Sequence, residues 1–374
     1  METYRLNSRL VESDREFIIQ TSNDGQVGAV SSIVLVDGEI AEKTSRPHPH
    51  EVDPEEILSL VKQTHGAKKK ELELLLQTYR KTLEEGNAEE MCRLGSAFFY
   101  KRFFVEAKRL FDCAAEIDPA NHQAYNFLCM TYVTLGSPEK AIACGKEATQ
   151  IQPGYADYHN NLGEAYLVAN HCKEAAMEFE EATRINLYYA DAYYNLGLAL
   201  IANALRQQDT GLFTKLISRT TDFLRKAALI YTNYDSEIFN RGLAALKDSN
   251  LAEAYRLLAS VREAKKEKHY REFAEFHMKF VLHPDWASEQ AVTDRIRFLQ
   301  NEISKNPTYV DLHSELGRCY LEQARVCWRK GIDMYRRTLE MNQSLSRVDA
   351  DLEQAVLVYN SMCQSLGRTT QNGR

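Results

Sequence analysis

The sequence predicts a mainly α-helical chain: an α-solenoid of stacked helix pairs, preceded by a small antiparallel β-meander and one long helix. Three observations carry that reading. Small residues recur at Gly95, Cys129, Gly163 and Gly197, each 34 residues after the last. Between them, apolar residues return every three or four positions, the period of one helix face. The start of the chain lacks this period and is rich in β-branched and aromatic residues around an Asp37-Gly38 pair, a tight-turn signature.

Residues 1–86 form a non-repeating module. Tyr4–Val11, Glu16–Thr21 and Val30–Val36 read as strands, and the run from Val34 to Ala41 reads as a hairpin turning at Asp37-Gly38, giving three or four strands. Asp53-Pro54-Glu55-Glu56 opens a helix, with Asp53 as N-cap and Pro54 at the first helical position. Its stripe is Ile57, Leu58, Leu60, Val61, Leu72, Leu75, Leu76 and Tyr79, and Gly66 marks a kink or a boundary between two helices.

Helical repeats are expected over 88–344, with clear units at 88–121, 122–155 and 156–189. Phe98, Tyr132, Tyr166 and Leu200 keep the step of 34, as do Ala107, Ala141 and Ala175, and Ala114, Ala148 and Ala182. Pro119 and Pro153 close two units, because a residue before proline is pushed out of the α region; Leu187 stands where a third proline would be. Gly242 follows Gly197 by 34 plus 11 residues, so a fourth unit over 190–234 carries an insertion of about three helical turns around Asp209-Thr210-Gly211. Ala254 and Leu258 continue a degenerate fifth unit. His269 to Leu282 reads as a separate amphipathic helix with Tyr270, Phe273, His277 and Phe280 on one side. Val292, Ile296, Leu299 and Ile303 mark a sixth unit. Leu316-Gly317-Tyr320 starts a seventh, with Tyr335 and Leu339 on its second helix. A last helix over 345–368, striped by Leu345, Val348, Leu352, Val356, Tyr359 and Leu366, caps the solenoid.

The pattern of Leu-Gly or Leu-Cys, then an aromatic, then two alanines and a proline resembles the tetratricopeptide repeat (TPR) family. The resemblance implies a right-handed superhelix whose first helices line a concave groove that binds peptides or protein surfaces without catalysis. Residues matching inward-facing family positions are Asn126, Phe127, Met130, Asn160, Asn161, Tyr194 and Asn195, expected to form a partner-binding groove. An amide side chain both donates and accepts, so it can pair with a peptide backbone whatever its sequence. The Lys and Arg with which some relatives clamp a terminal carboxylate are missing at these positions. The expectation is therefore a non-enzymatic scaffold or adaptor with a protein or peptide partner. The alternative is a regulatory or assembly subunit of an enzyme or of a secretion or motility machine, acting through its N-terminal module.

Composition narrows the classes. With 44% hydrophobic and 26% charged residues, the 374-residue chain is not wholly disordered. A net charge of −7 argues against nucleic acid. No run approaches the ~18 apolar residues of a membrane helix, and the start has no apolar leader, so a cytoplasmic location without membrane insertion is expected. The eight cysteines form no CxxC pair and read as free thiols. No phosphate-cradling loop or HExxH occurs, and His48-Pro49-His50 has no third ligand in reach, so no catalytic residue, metal or cofactor is predicted. The cations Arg318, Arg325, Arg329, Lys330, Arg336 and Arg337 alternate with acids and read as a solvated face. The apolar stripe of the last helix is the one candidate for homo-oligomer contact.

Overall fold

A computed structural model of the protein describes residues 3–49, 53–207, 213–276, 289–307, 310–342 and 345–368. The chain divides into two compact units, Met1–Ile185 with Ala199–Gln208 and Arg262–His277, and Asn186–Leu198 with Asp209–Val261 and Met278–Arg374.

The first unit begins with strands β1 (Arg5–Glu12), β2 (Arg15–Asp24), β3 (Ala29–Val36) and β4 (Glu39–Pro47), an antiparallel sheet in the order β1-β2-β3-β4. Asp37 and Gly38 both take positive φ, 51° and 90°, as a two-residue hairpin requires. Ser13 and Asp14 do the same between β1 and β2, at 49° and 62°, without a glycine to signal it. Phe17, Ile19 and Thr21 of β2 and Val30, Ser32, Val34 and Val36 of β3 turn to one buried face. Helix α1 (Pro54–Glu85) lies on that face through Ile57, Val61 and His65. It runs as one helix through Gly66, correcting the expected boundary between two helices; nothing lies within 4 Å of where the Gly66 Cβ would be.

Three helix pairs follow: α2 (Ala88–Tyr100) with α3 (Phe104–Ile117), α4 (His122–Thr134) with α5 (Pro138–Ile151), and α6 (Ala156–Val168) with α7 (Cys172–Ile185). Each turn between partners holds one left-handed residue: Arg102, Gly136 and Asn170, at φ 68°, 69° and 68°. The next residue then bonds back across the last turn: Phe103 N–H to Phe98 O at 2.9 Å, Ser137 N–H to Tyr132 O at 2.9 Å, and His171 N–H to Tyr166 O at 2.8 Å. This is the Schellman closure that satisfies orphan carbonyls at a helix end.

The sheet and the first pair share one core. Phe17 meets the Phe103 ring edge-on at 5.6 Å, and Arg15 reaches Glu106 at 2.5 Å. Lys101 is 5% exposed, and its ammonium donates to Glu42 of β4 at 2.9 Å and to Glu71 of α1 at 2.6 Å. Lys68 binds the same two acids at 2.8 and 2.9 Å. Burial alone would raise the pKa of Glu42, but Lys101 and Lys68 outweigh it and bring the carboxyl down to about 2.

In the second unit the first part of α8 (Ala190–Gln207) packs on α9 (Phe213–Ile230), which a short 3-10 turn (Thr232–Tyr234) connects to α10 (Glu237–Lys247). The unit also holds the start of α11 (Leu251–Phe276), then α12 (Glu289–Lys305), α13 (Val310–Met341) and α14 (Ser346–Arg368). Both α8 and α9 run 18 residues, against 13 and 14 in the preceding pair. The buried Asn306 amide oxygen accepts from Thr232 N–H at 2.7 Å and from its hydroxyl at 2.9 Å. On α14, Ala355 O accepts from Trp328 Nε1 of α13 at 2.9 Å.

Two expected breaks are absent. Helix α11 continues from Leu258 past Tyr270, so the separate helix expected from His269 is the end of α11; residues 277–288, with His277 and Phe280, lie outside the described residues. Helix α13 is one 32-residue helix where a seventh pair was expected. No proline stands inside it, and nothing lies within 4 Å of a Cβ built on Gly317 or Gly331, so neither serves as a helix-crossing point. Arg325 leaves the solvated face expected of the basic cluster: it is 3% exposed, with its Nε donating to Glu322 at 2.8 Å.

Candidate functional site

The repeated small residues mark where paired helices cross. A Cβ on Gly95 would stand 2.6 Å from the Phe111 ring, and one on Gly163 would stand 2.6 Å from the Phe179 ring. On Gly197 and Gly242 it would meet Leu224 and Leu258, each at 2.8 Å. The second pair inverts the arrangement. Cys129 takes the first-helix position and is fully buried, and the facing position on α5 is Gly145, where a Cβ would stand 3.1 Å from the Cys129 sulfur. A ring or a leucine faces the glycine at four of these crossings, and in the second pair two small residues, Cys129 and Gly145, face each other. This contact, the common turn and the 34-residue step decide the fold. The helical array is an α-solenoid of stacked helix pairs with a tetratricopeptide-like 34-residue step.

No family profile matches the chain, and no curated protein matches it either. Similar solved structures include MamA, at 23% identity over 47% of this chain and 96% of that one, with a TM-score of 0.35. YrrB, described as a TPR protein with an unusual peptide-binding site, is 16% identical over 53% of this chain and 97% of its own, with a TM-score of 0.36. TTC0263 of Thermus thermophilus is 21% identical over 51% of this chain and 98% of its own, with a TM-score of 0.37. What identifies the fold is the geometry within this chain.

The first helices of the three clear pairs, α2, α4 and α6, carry the predicted groove residues of the first unit. Phe127 of α4 stacks on Phe111 at 4.9 Å with the rings 5° apart, and its edge meets Phe99 at 6.0 Å and Tyr100 at 6.4 Å. Met130 is half-buried one turn further on. Asn126 and Asn160 are buried, at 7% and 4% exposure. The Asn161 amide donates to Asn126 Oδ1 at 2.9 Å and ties α6 to α4. Asn126 and Asn161 are thus brought into direct contact, with Phe127 and Met130 on the same helix as Asn126.

Tyr194 and Asn195 belong to the second unit and are 0% and 2% exposed. The Tyr194 ring stacks on Tyr234 at 4.3 Å, and its hydroxyl donates to Leu258 O at 2.9 Å. The groove reading of Tyr194 gives way to an interior one, since its ring is covered by Tyr234.

Sequence reasoning missed what lies against the α2, α4 and α6 face. The end of α11, from Arg262, belongs to the first unit and is seated there. Tyr270 enters between aromatic edges, 5.4 Å from Phe99 and 5.7 Å from Tyr100 by ring centroids, and is 9% exposed. Lys266, one turn earlier, donates to Glu164 of α6 at 2.9 Å. Arg102 donates to both Glu267 oxygens, at 2.9 and 3.1 Å. Burial opposes the charge on Lys266, but Glu164 and the Tyr270 phenol group outweigh it and hold the ammonium above its ordinary pKa. The Tyr270 hydroxyl is pushed up to about 12 by burial, with Lys266 acting the other way. The amphipathic pattern around His269 and Tyr270 was the signal that could have found this contact, but periodicity does not say which surface covers a stripe.

Other candidates are local. Among the described residues no three His, Cys, Asp or Glu side chains are grouped to hold a metal, and no helix is long and apolar enough to cross a membrane. His48 bonds through Nδ1 to Pro49 O at 2.7 Å, and His50 lies outside the described residues. Ser8 Oγ stands 2.8 Å from His65 Nε2, but the other ring nitrogen faces Thr21 Oγ1 at 3.0 Å and not a carboxylate. Burial and Lys69 lower the His65 pKa, as suits a neutral core histidine.

Proposed function

We propose that this protein is a non-enzymatic scaffold that holds a segment of a protein partner on the α2, α4 and α6 face of its first unit. One observation carries the reading: that face already accepts a side-chain ring and an ammonium from a helix far away in sequence, Tyr270 and Lys266 of α11. Stacked repeats present such a face as a continuous surface, because each pair contacts chiefly its neighbours. Phe127, Met130, Asn161 and Glu164 supply the contact. Asn126 and Asn160 stand behind them and fix the spacing of the helices. Tyr194 and Asn195 support α8 from inside the second unit.

The test starts from the partner captured by the tagged full chain and identified by mass spectrometry. Met130→Asp places a carboxylate on the half-buried face, and the partner's Kd is expected to rise about tenfold, or 1.4 kcal/mol. The thermal midpoint measured alongside is expected to stay close to wild type. An unchanged Kd rejects the face and moves the binding surface to the N-terminal sheet.

A further inference from the structure

The seated end of α11 shows which chemistry the face selects. Glu164 sits at 21% side-chain exposure, and Lys266 meets it at 2.9 Å. A part-buried carboxylate is favoured by a cation beside it. The Phe99 and Tyr100 ring centroids lie 5.4 and 5.7 Å from that of Tyr270 in edge-to-face geometry, in which a positive edge meets an aromatic face. Lys266 and Tyr270 are four residues apart, so one side of a single helix offers both. Any helix with a lysine and an aromatic at that spacing meets the same two features.

The same segment is secured through Lys266 and Tyr270 and weakly elsewhere. It reads Arg262-Glu263-Ala264-Lys265-Lys266-Glu267-Lys268-His269-Tyr270, mostly charged, and Arg102 and Glu267 form an exposed pair of the kind that contributes little. Most of its residues are good helix formers. The start of α11 is held separately in the second unit, with Leu258 against Gly242.

We infer that the partner presents an amphipathic helix with a lysine and, four residues on, an aromatic residue, and that it binds by displacing the end of α11 from the α2, α4 and α6 face. The inference rests on the scaffold reading and names both its ligand and its built-in competitor.

The probe is a fluorescent peptide of residues 259–276 of this chain, titrated by anisotropy into full-length protein. Against a chain carrying Lys266→Ala and Tyr270→Ala, whose own helix no longer competes, the peptide is expected to bind about tenfold more tightly than to wild type. If the alanine pair does not fold, Lys266→Gln with Tyr270→Leu keeps the bulk and is read the same way. In that open chain, Glu164→Lys is expected to abolish binding, and a peptide carrying Lys266→Glu is expected to restore it. Equal affinity for the open and wild-type chains, no binding to the open chain, or no restoration by the charge swap overturns the inference. If the peptide fails while Met130→Asp still weakens the captured partner, the scaffold reading stands and this inference alone falls.

Discussion

Gly163 lies in the middle of α6, where glycine is ordinarily a weakness: replacing it with alanine in a helix interior gains about 0.5–1 kcal/mol. Here the added methyl would stand 2.6, 2.8 and 2.9 Å from three atoms of the Phe179 ring, and that ring is fully buried. The ring has no solvent to swing into, so the crossing must open. Overpacking of this kind costs about 1–3 kcal/mol. Gly163→Ala is therefore expected to lose roughly 1–2 kcal/mol net, against the helix-propensity gain. Gly66→Ala in α1 is the control, because nothing lies within 4 Å of its Cβ, and it is expected to gain up to about 1 kcal/mol. The assay is urea unfolding of each full-length variant followed by helical circular dichroism. Midpoints are compared, since a repeat array need not unfold in one step. Adding Phe179→Leu to Gly163→Ala should leave the double variant less destabilised than the two singles together, the sign of a shared contact. Gly163→Ala with a midpoint at or above wild type, or both glycine variants shifting the same way, refutes the crossing argument.

Cys129 fills the inverted crossing, so Cys129→Leu is expected to destabilise by about 1–3 kcal/mol, measured by the same unfolding curves. Burial raises the Cys129 thiol pKa, and its labelling by a thiol reagent should be far slower than that of exposed Cys327; comparable rates contradict the packing. The Glu42 cluster makes an acid-sensitive joint. Its pKa falls from 4.5 to about 2, so the unfolded chain binds more protons between those values. The stabilisation is present above the unfolded pKa and is lost as pH falls through this window, at most roughly 3 kcal/mol. Glu42→Gln should flatten that part of the stability curve, and parallel curves for the two chains would show that the cluster is not coupled to folding.

Much of the fold was legible because its causes are local. The step of 34 survives as one contact repeated between Gly95 and Phe111 and between Gly163 and Phe179. The Asp37-Gly38 hairpin and the Asp53 N-cap form where the sequence places them, with Asp53 Oδ1 accepting from Glu55 N–H at 2.9 Å. The shared helix turn was hidden because two of its three left-handed residues in the first unit, Arg102 and Asn170, are not glycine. Asparagine takes the left-handed conformation more readily than most residues, but arginine gives no such signal.

The candidate site was legible only in part. A 34-residue period places Asn126, Phe127, Met130 and Asn161 on first helices, and they are found there. It does not distinguish a residue facing solvent from one facing the next helix, and the amides of Asn126 and Asn161 bond to each other. By itself the sequence determined the pairing of helices, the small residues at their crossings and the hairpin of the opening sheet, since turn chemistry and helical period act over a few residues. Tertiary structure alone decided that Lys101 meets Glu42, that Tyr234 covers Tyr194, and that Lys266 and Tyr270 of α11 lie on Glu164, Phe99 and Tyr100. Those contacts join residues from 40 to more than 170 positions apart. An apolar stripe or a lone charge states what must be covered, and only the folded chain selects what covers it.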